Sequence, residues 1–318
     1  MKIKILANDG ISKAGIDLLE KHNYEVITDN VNQDDLVDYI NNNNISCLLV
    51  RSATTARKNL IDSCENLKLI GRGGVGMDNI DVDYAKERGI HVVNTPSASS
   101  HSVAELVFSH LFSCVRFLHD SNRNMPLEGD SNFKILKKNY SKGSELKGKT
   151  LGIIGFGRIG QETAKIALGI GMNVMFSDKF INDQEITLDL AHDKKVSFNL
   201  KSSDISDTLK NSDYITLHVP AQKEFVIGKN QIKLMKNGAG LINAARGGVI
   251  DENGLIEALD DGKLAFAGID TFENEPKPSI KLLMHPKVSL TPHIGAATSE
   301  AQDRIGIELA NQIISLVK

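Results

Sequence analysis

The chain of 318 residues reads as an α/β protein made of two doubly wound, parallel-sheet domains. Short apolar runs alternate with helical patterns from residue 4 onward, which is the order of β-α-β units. Two segments, 71–76 and 155–160, match Gly-x-Gly-x-x-Gly, and each follows an apolar run. The second lies mid-chain, so a domain-sized segment precedes it. The expected architecture has one domain inserted into another. Residues 1–99 and 294–318 form a discontinuous substrate domain, and residues 100–293 form a nucleotide-binding, Rossmann-like domain.

The elements follow in order. Lys4–Ala7, Glu25–Ile27 and 46–50 are short and apolar and read as strands, with helices over 12–21 and 34–40 between them. Asn41 to Asn44 read as a polar loop. The apolar run 67–70 leads into the first glycine motif, followed by a helix at 82–88 and a strand at 90–93. From 99 to 119 apolar residues recur at three and four spacing (Val103, Leu106, Val107, His110-Leu111, Cys114, Leu118), which predicts one long helix linking the domains. Residues 121–149 are rich in Asn, Lys and Gly and read as an extended excursion. Strands are expected at 151–154, 173–176, 214–218, 240–243, 265–270 and Val288–Leu290, with a helix from 161. The last stretch, 299–317, is amphipathic and is expected to return to the first domain.

Bulk properties exclude several classes. Hydrophobic content is 41%, charged content 24% and net charge −3. That balance is ordinary for a globular chain and gives no general affinity for nucleic acid or anionic membranes. Cys47, Cys64 and Cys114 show no metal-ligand spacing and read as reduced packing thiols. No apolar stretch is long enough to span a bilayer, and the start of the chain is a strand rather than a leader. The expected compartment is the cytoplasm. No metal site is expected.

The motif at 155–160, Gly-Phe-Gly-Arg-Ile-Gly, sits between a strand and a helix, and Asp178 closes the next apolar run. Each part has a physical role. Gly155 permits the tight turn, Gly157 lets backbone approach a pyrophosphate, and Gly160 lets the helix pack on the strand. The helix N-terminus, at Arg158 and Ile159, offers free N–H groups and a positive dipole end. Asp178 can accept both ribose hydroxyls of an adenosine and repels a 2′-phosphate, which favours NAD; Lys179 beside it leaves NADP open. The motif at 71–76 lacks an acidic residue after its second strand, which ends in Asn94-Thr95-Pro96. It reads as a glycine-rich loop whose backbone N–H groups at Gly74, Val75 and Gly76 suit an anion; a tight turn with no ligand is the alternative.

Residues that follow strand ends gather the remaining candidates on one expected rim: Arg51, the Gly74–Gly76 loop, Gly157, His218-Val219-Pro220, Ala245-Arg246 and Asp270. Hydride transfer between NAD and a hydroxy acid needs a carboxylate grip, a proton acceptor and charge stabilisation. The planar guanidinium of Arg246 suits the grip. His293 titrates near neutral pH and suits proton transfer, with Glu275 as its orienting carboxylate. Asp270, at a strand end, suits the nicotinamide carboxamide. Taken singly, each of these residues is more often an ordinary turn or loop residue, and spacing does not show that they meet.

The succession Gly155–Gly160, then Asn243-Ala244-Ala245-Arg246-Gly247-Gly248, Asn274-Glu275-Pro276 and Thr291-Pro292-His293-Ile294-Gly295-Ala296 resembles the D-isomer-specific 2-hydroxyacid dehydrogenases, over essentially the whole chain. The resemblance implies Arg246 on the substrate carboxylate and carbonyl oxygen, His293 as acid/base and Glu275 as its partner. It implies contacts to NAD from Arg158, Ile159, Asp178, Val219, Pro220, Ala244, Asp270 and 293–296, with His218, Ala245 and Val75 beside them. The segments Val50-Arg51-Ser52-Ala53-Thr54 and 71–79 are most similar to members whose acid carries a second anionic group. They place Arg51, Ser52, Gly74, Val75 and Gly76 at the substrate. A homodimer is implied, through the 99–119 helix and the excursion after it, with Lys134, Lys137, Lys138 and Lys142 as candidate cations for a neighbouring subunit. The distance from His293 to the last residue leaves no regulatory domain to be expected after it. An NAD-binding scaffold that shares this fold is the reading from a different class.

Overall fold

The computed structural model describes residues 2–317. In chain order the elements are β1 (Lys4–Ala7), α1 (Lys13–Lys21), β2 (Glu25–Ile27), α2 (Leu36–Asn42), β3 (Ile45–Val50), α3 (Lys58–Ser63), β4 (Leu69–Arg72), α4 (Val82–Glu87), β5 (His91–Asn94) and α5 (Ser100–Val115). Next come α6 (Leu118–Glu128), α7 (Phe133–Asn139), a single 3-10 turn (Tyr140–Lys142), β6 (Thr150–Ile154), α8 (Arg158–Gly169) and β7 (Asn173–Ser177). The remainder is β8 (Asp183–Asp189), β9 (Lys195–Lys201), α9 (Ile205–Asn211), β10 (Tyr214–Leu217), α10 (Lys229–Leu234), β11 (Ala239–Asn243), α11 (Glu252–Asp260), β12 (Leu264–Ile269), α12 (Ile280–Leu283), β13 (Val288–Leu290) and α13 (Ser299–Leu316).

The α/β class with two parallel sheets is what the sequence led us to expect. One sheet runs β2-β1-β3-β4-β5 and the other β13-β12-β11-β10-β6-β7. Every pairing in both is parallel. The chain divides into two compact units, Met1–Ser102 with Ala296–Lys318, and Val103–Gly295. The division thus falls within α5 and just after His293, a few residues beyond the boundaries read from sequence.

The central strands of each sheet, such as β3, β10 and β11, are covered on both faces, which is why they are largely apolar rather than alternating. In the first unit Leu6, Leu48, Val50 and Ile70 pack on one side, and Ile5, Cys47, Leu49, Leu69, Ala310 and Ile313 on the other. α13 lies against α1. A Cβ at Gly15 would stand 2.9 Å from the Gly306 Cα, so this helix pair can approach only because both positions lack side chains. In the second unit β10 and β11 are buried along their whole lengths.

Four local readings are corrected. Residues 121–149 are not an extended excursion: α6, α7 and the 3-10 turn occupy much of that stretch. Polar residues and Pro126 masked the signal, but Leu136 is buried and the Tyr140 hydroxyl donates to Asp120 while accepting from Asn124, which ties the turn to α6. The long 99–119 helix stops at Val115, because Phe117 takes a left-handed conformation (φ 56°) before α6 begins. Asn41 and Asn42 are the last turn of α2, and only Asn44 turns left-handed (φ 54°). The antiparallel hairpin β8–β9 was not anticipated; it turns at His192 and Asp193, both with positive φ, and buries Ile186.

Candidate active site

In the second unit, β6, β10, β11 and β12 are parallel neighbours, so the residues after them all leave the sheet at the same edge. Those residues are Gly155, His218, Ala244 and Asp270; His218 and Asp270 were expected on this rim, and Gly155 and Ala244 immediately precede the expected Gly157 and Ala245-Arg246. In the first unit the same rule places Arg51 after β3, while Gly73 and Gly74 follow β4.

The 155–160 segment forms a cofactor cradle. Gly155 has φ +89°, a conformation closed to most side chains, and a Cβ there would stand 2.5 Å from the His218 carbonyl oxygen. Phe156 is fully buried and stacks on Phe176 of β7 at 3.8 Å between ring centroids, which pins the turn to the sheet. A Cβ on Gly160 would lie 2.4 Å from Gly155 O, so the helix and turn are in backbone contact. At Gly157 the opposite holds: nothing lies within 4 Å of where a Cβ would be. Gly157 is the N-cap of α8 and offers no side-chain cap, so the first-turn N–H groups are turned toward open space. That open N-terminus fits a pyrophosphate.

Asp178 does more than the sequence suggested. Its Oδ2 accepts the Phe156 N–H at 2.6 Å, and Oδ1 accepts those of Phe180 and Ile181 at 2.8 and 3.0 Å. Burial works to raise its pKa, but these three donors outweigh it and hold the carboxyl below the usual range. The carboxylate therefore anchors the glycine turn, beyond the ribose contact expected of it. His218 also differs from the simplest expectation. Its ring Nε2 lies 3.3 Å from Thr163 Oγ1 and 3.2 Å from Thr216 Oγ1, and burial pushes its pKa down to about 3. The neutral ring braces α8 against β10.

The Arg246 turn is built by Asn243, which donates to Arg246 O (2.9 Å) and accepts from Ala245 N (3.1 Å). Ala244 and Ala245 are both buried. Gly247 packs directly on the next loop, where a Cβ would lie 1.7 Å from Phe272 O. Glu252, missed by sequence, and Glu273, at the head of the Glu275 segment, complete that junction. Glu252 N donates to Glu273 Oε1 and Glu273 N donates to Glu252 Oε1, each at 2.8 Å. This reciprocal clamp joins the Arg246 loop to the Glu275 loop. Burial of Glu252 raises its pKa, as do the charges of Glu273 and Glu275.

The structure brings Glu275 and His293 together. His293 Nδ1 is 2.9 Å from Glu275 Oε2, while Glu275 Oε1 accepts the Phe272 N–H at 3.0 Å. A carboxylate only accepts, so Nδ1 donates, and Nε2 is the ring nitrogen left to take a proton. Both side chains are 37% exposed, so a substrate can reach them. Asp270, expected at the carboxamide, is 1% exposed and already accepts from Thr291 Oγ1, Ile294 N and Gly295 N. It holds the His293 loop.

In the first unit Asp9 shapes the Arg51 loop, accepting Arg51 N at 2.5 Å and Thr54 N at 3.1 Å. Asn79 donates to Arg51 O and Thr54 O. Burial pushes the Arg51 guanidinium down in pKa, opposed by Asp9. A groove of about 470 Å³ runs beside Arg51, Ser52 and Asp9. Arg72, not singled out from sequence, pairs with Val50 across the sheet and donates Nη2 to Ser52 Oγ at 3.3 Å. The first glycine motif does not open a helix: Gly71 and Arg72 belong to β4, and α4 starts at Val82. Val75 is exposed, and Asn94 donates to its carbonyl.

Comparison with known proteins shows the family. The sequence profile of the D-isomer specific 2-hydroxyacid dehydrogenase, NAD binding domain, matches residues 108–295. The chain is 41% identical to a hydroxypyruvate reductase of Thermotoga maritima, over 98% of this chain and 97% of that one. It is 40% identical to a D-3-phosphoglycerate dehydrogenase of Methanocaldococcus jannaschii over 99% of its own length, but spans only 58% of that relative. Its fold is similar to that of an NAD+-bound 3-phosphoglycerate dehydrogenase of Entamoeba histolytica, with a TM-score of 0.76, 27% identity, and coverage of 99% of this chain and 95% of that one. The chain belongs to the D-isomer-specific 2-hydroxyacid dehydrogenases, a family whose NAD-binding domain it carries.

Proposed function

We propose that the protein oxidises a phosphorylated D-2-hydroxy acid, 3-phosphoglycerate, to 3-phosphooxypyruvate, the entry step of serine synthesis. Bound NAD supplies the hydride acceptor. The open N-terminus of α8 and Asp178 would hold it, with Val219, Pro220 and the 293–296 segment alongside. Arg246 grips the substrate carboxylate and carbonyl oxygen through paired N–H donors. His293 takes the hydroxyl proton at Nε2, and Glu275 fixes the ring through Nδ1 and favours the imidazolium that forms. Excluding water is the task of the buried Ala244 and Ala245 beside Arg246.

The observation that carries the choice of substrate is the pair of arginines at neighbouring strand ends of the first unit, Arg51 and Arg72, the latter donating to Ser52 Oγ. Such a pair of cations suits a phosphate. Identity to phosphoglycerate dehydrogenases over 99% of the chain supports the same reading. A second reading, reduction of hydroxypyruvate, is favoured by the relative that this chain matches from end to end. A homodimer and a cytoplasmic location belong to the proposal. The three cysteines are free and buried, and no described helix is long and apolar enough to cross a membrane.

A steady-state panel decides. With NAD, 3-phosphoglycerate should show a kcat/KM about a hundredfold above D-glycerate and D-lactate, and Arg51→Met should erase most of that ratio through KM. Equal rates across the panel, or a stronger preference for hydroxypyruvate with NADH, would replace the phosphoglycerate reading with the second one.

A further inference from the structure

Helix α5 carries a buried histidine that no step above uses. His110 is 2% exposed. It lies on β12 at Gly268, where a Cβ would stand 2.7 Å from the His110 Cβ, so the strand has no side chain where the imidazole packs. Both ring nitrogens have partners: Nδ1 is 2.9 Å from Ser289 Oγ and Nε2 is 2.9 Å from Thr291 Oγ1. Thr291 gives its one hydroxyl hydrogen to Asp270 Oδ1, at 2.6 Å. Toward His110 it can therefore only accept. The tautomer follows: Nε2 carries the hydrogen and donates to Thr291, while Nδ1 accepts from Ser289. Burial lowers the His110 pKa, and His119 adds to this against the opposing charge of Asp270, so the neutral ring persists.

The hydrogen bonds continue to the proposed catalytic base. The Asp270 carboxylate accepts Ile294 N–H at 2.8 Å and Gly295 N–H at 3.0 Å. The Asp270 carbonyl oxygen accepts His293 N–H at 2.8 Å. Asp270 thus holds the backbone of three consecutive residues, 293 to 295. His293 itself has φ +54°, a left-handed conformation uncommon for a residue with a side chain.

We propose that His110 is a positioning residue for proton transfer: acting through Thr291 and Asp270, it fixes the loop that presents His293 Nε2 to the substrate hydroxyl. The proposal rests on the acid/base role of His293. The sensitivity is large, because a misplacement of about 1 Å at a reacting group costs on the order of a hundredfold in rate.

The test combines single variants with a double-mutant cycle. His110→Leu removes the donor, and Thr291→Val removes the link while keeping the side-chain shape, so it decides the matter if the first variant does not fold. Each should lower kcat about tenfold, with KM and NADH affinity (followed by NADH fluorescence) within about twofold of the parent. His110→Gln, which retains an N–H for Thr291, should recover most of the rate. In a His293→Ala background neither change should lower the residual rate further. Folded variants with parental kcat, or losses of the same size with and without His293, would overturn the proposal. A His293→Ala enzyme that turns over normally would remove the acid/base reading itself, and with it the role given to His110.

Discussion

His293 shows how a reactive side chain is held at the scale of a single residue. Its backbone sits in a region that costs a non-glycine residue about 1–2 kcal/mol, and the Asp270 carbonyl and the Glu275 carboxylate offset that cost with hydrogen bonds to its N–H and Nδ1. Asp178 is the counterpart at the cofactor cradle. Its folded-state pKa is depressed, so its contribution to stability is present above the ordinary carboxylate range and is lost as pH falls through the lowered value. Asp178→Asn should therefore destabilise the protein clearly at neutral pH, and the gap to the parent should close below about pH 4. Urea midpoints measured across that range check this, and a gap independent of pH would show that the three N–H bonds do not depend on the charge. At this scale Arg246, Glu275 and His293 were candidates because a titratable or planar group stood among turn-forming neighbours, and their roles came from the family resemblance. The roles of Glu252, Glu273, Thr291 and His110 were not legible, since each acts only on a partner far along the chain.

At the scale of elements, the strand-then-loop rule gathers many of the candidate residues at sheet edges. Parallel strands end at one edge, so residues after β6, β10, β11 and β12 had to share it. The glycines of the α8 turn then divide by what surrounds them. Gly157→Ala places its methyl in open space and should leave the thermal midpoint nearly unchanged while weakening NADH binding about tenfold or more. Gly160→Ala drives a methyl into the Gly155 carbonyl and should lower the thermal midpoint as well as binding. Parallel melting curves and NADH titrations separate the two; equal stability losses would contradict the assigned division of roles. The hairpin β8–β9 was readable in principle, since Val196, Phe198 and Leu200 alternate with polar residues. α6 and α7 were harder. Their helical period is carried by few apolar residues, and only packing by Leu136 and the Tyr140 contacts fixes them.

At the scale of the whole molecule, the α5–α7 region leaves Phe112, Leu118, Met125, Leu127, Phe133 and Ile135 exposed, with Leu127 at 80%. That much apolar surface on consecutive helices suits a subunit contact. Lys134, Lys137, Lys138 and Lys142 are exposed on the same stretch, available to a neighbouring copy. Sedimentation at micromolar concentration should give a dimer, and the double change Leu127→Asp with Ile135→Asp should give a folded monomer. A monomeric parent protein would end the dimer reading.

The sequence by itself determined the α/β class, the place of the dinucleotide unit and the residue types able to carry hydride-transfer chemistry, because these depend on local period and turn geometry. Only the tertiary structure decided that Glu275 meets His293, that Glu252 and Glu273 clamp two loops, and that His110 reaches Asp270 through Thr291. Each of those contacts joins residues brought together when separate strands and helices pack, and a hydrogen bond of 2.6–2.9 Å is specified by that packing and by no pattern along the chain.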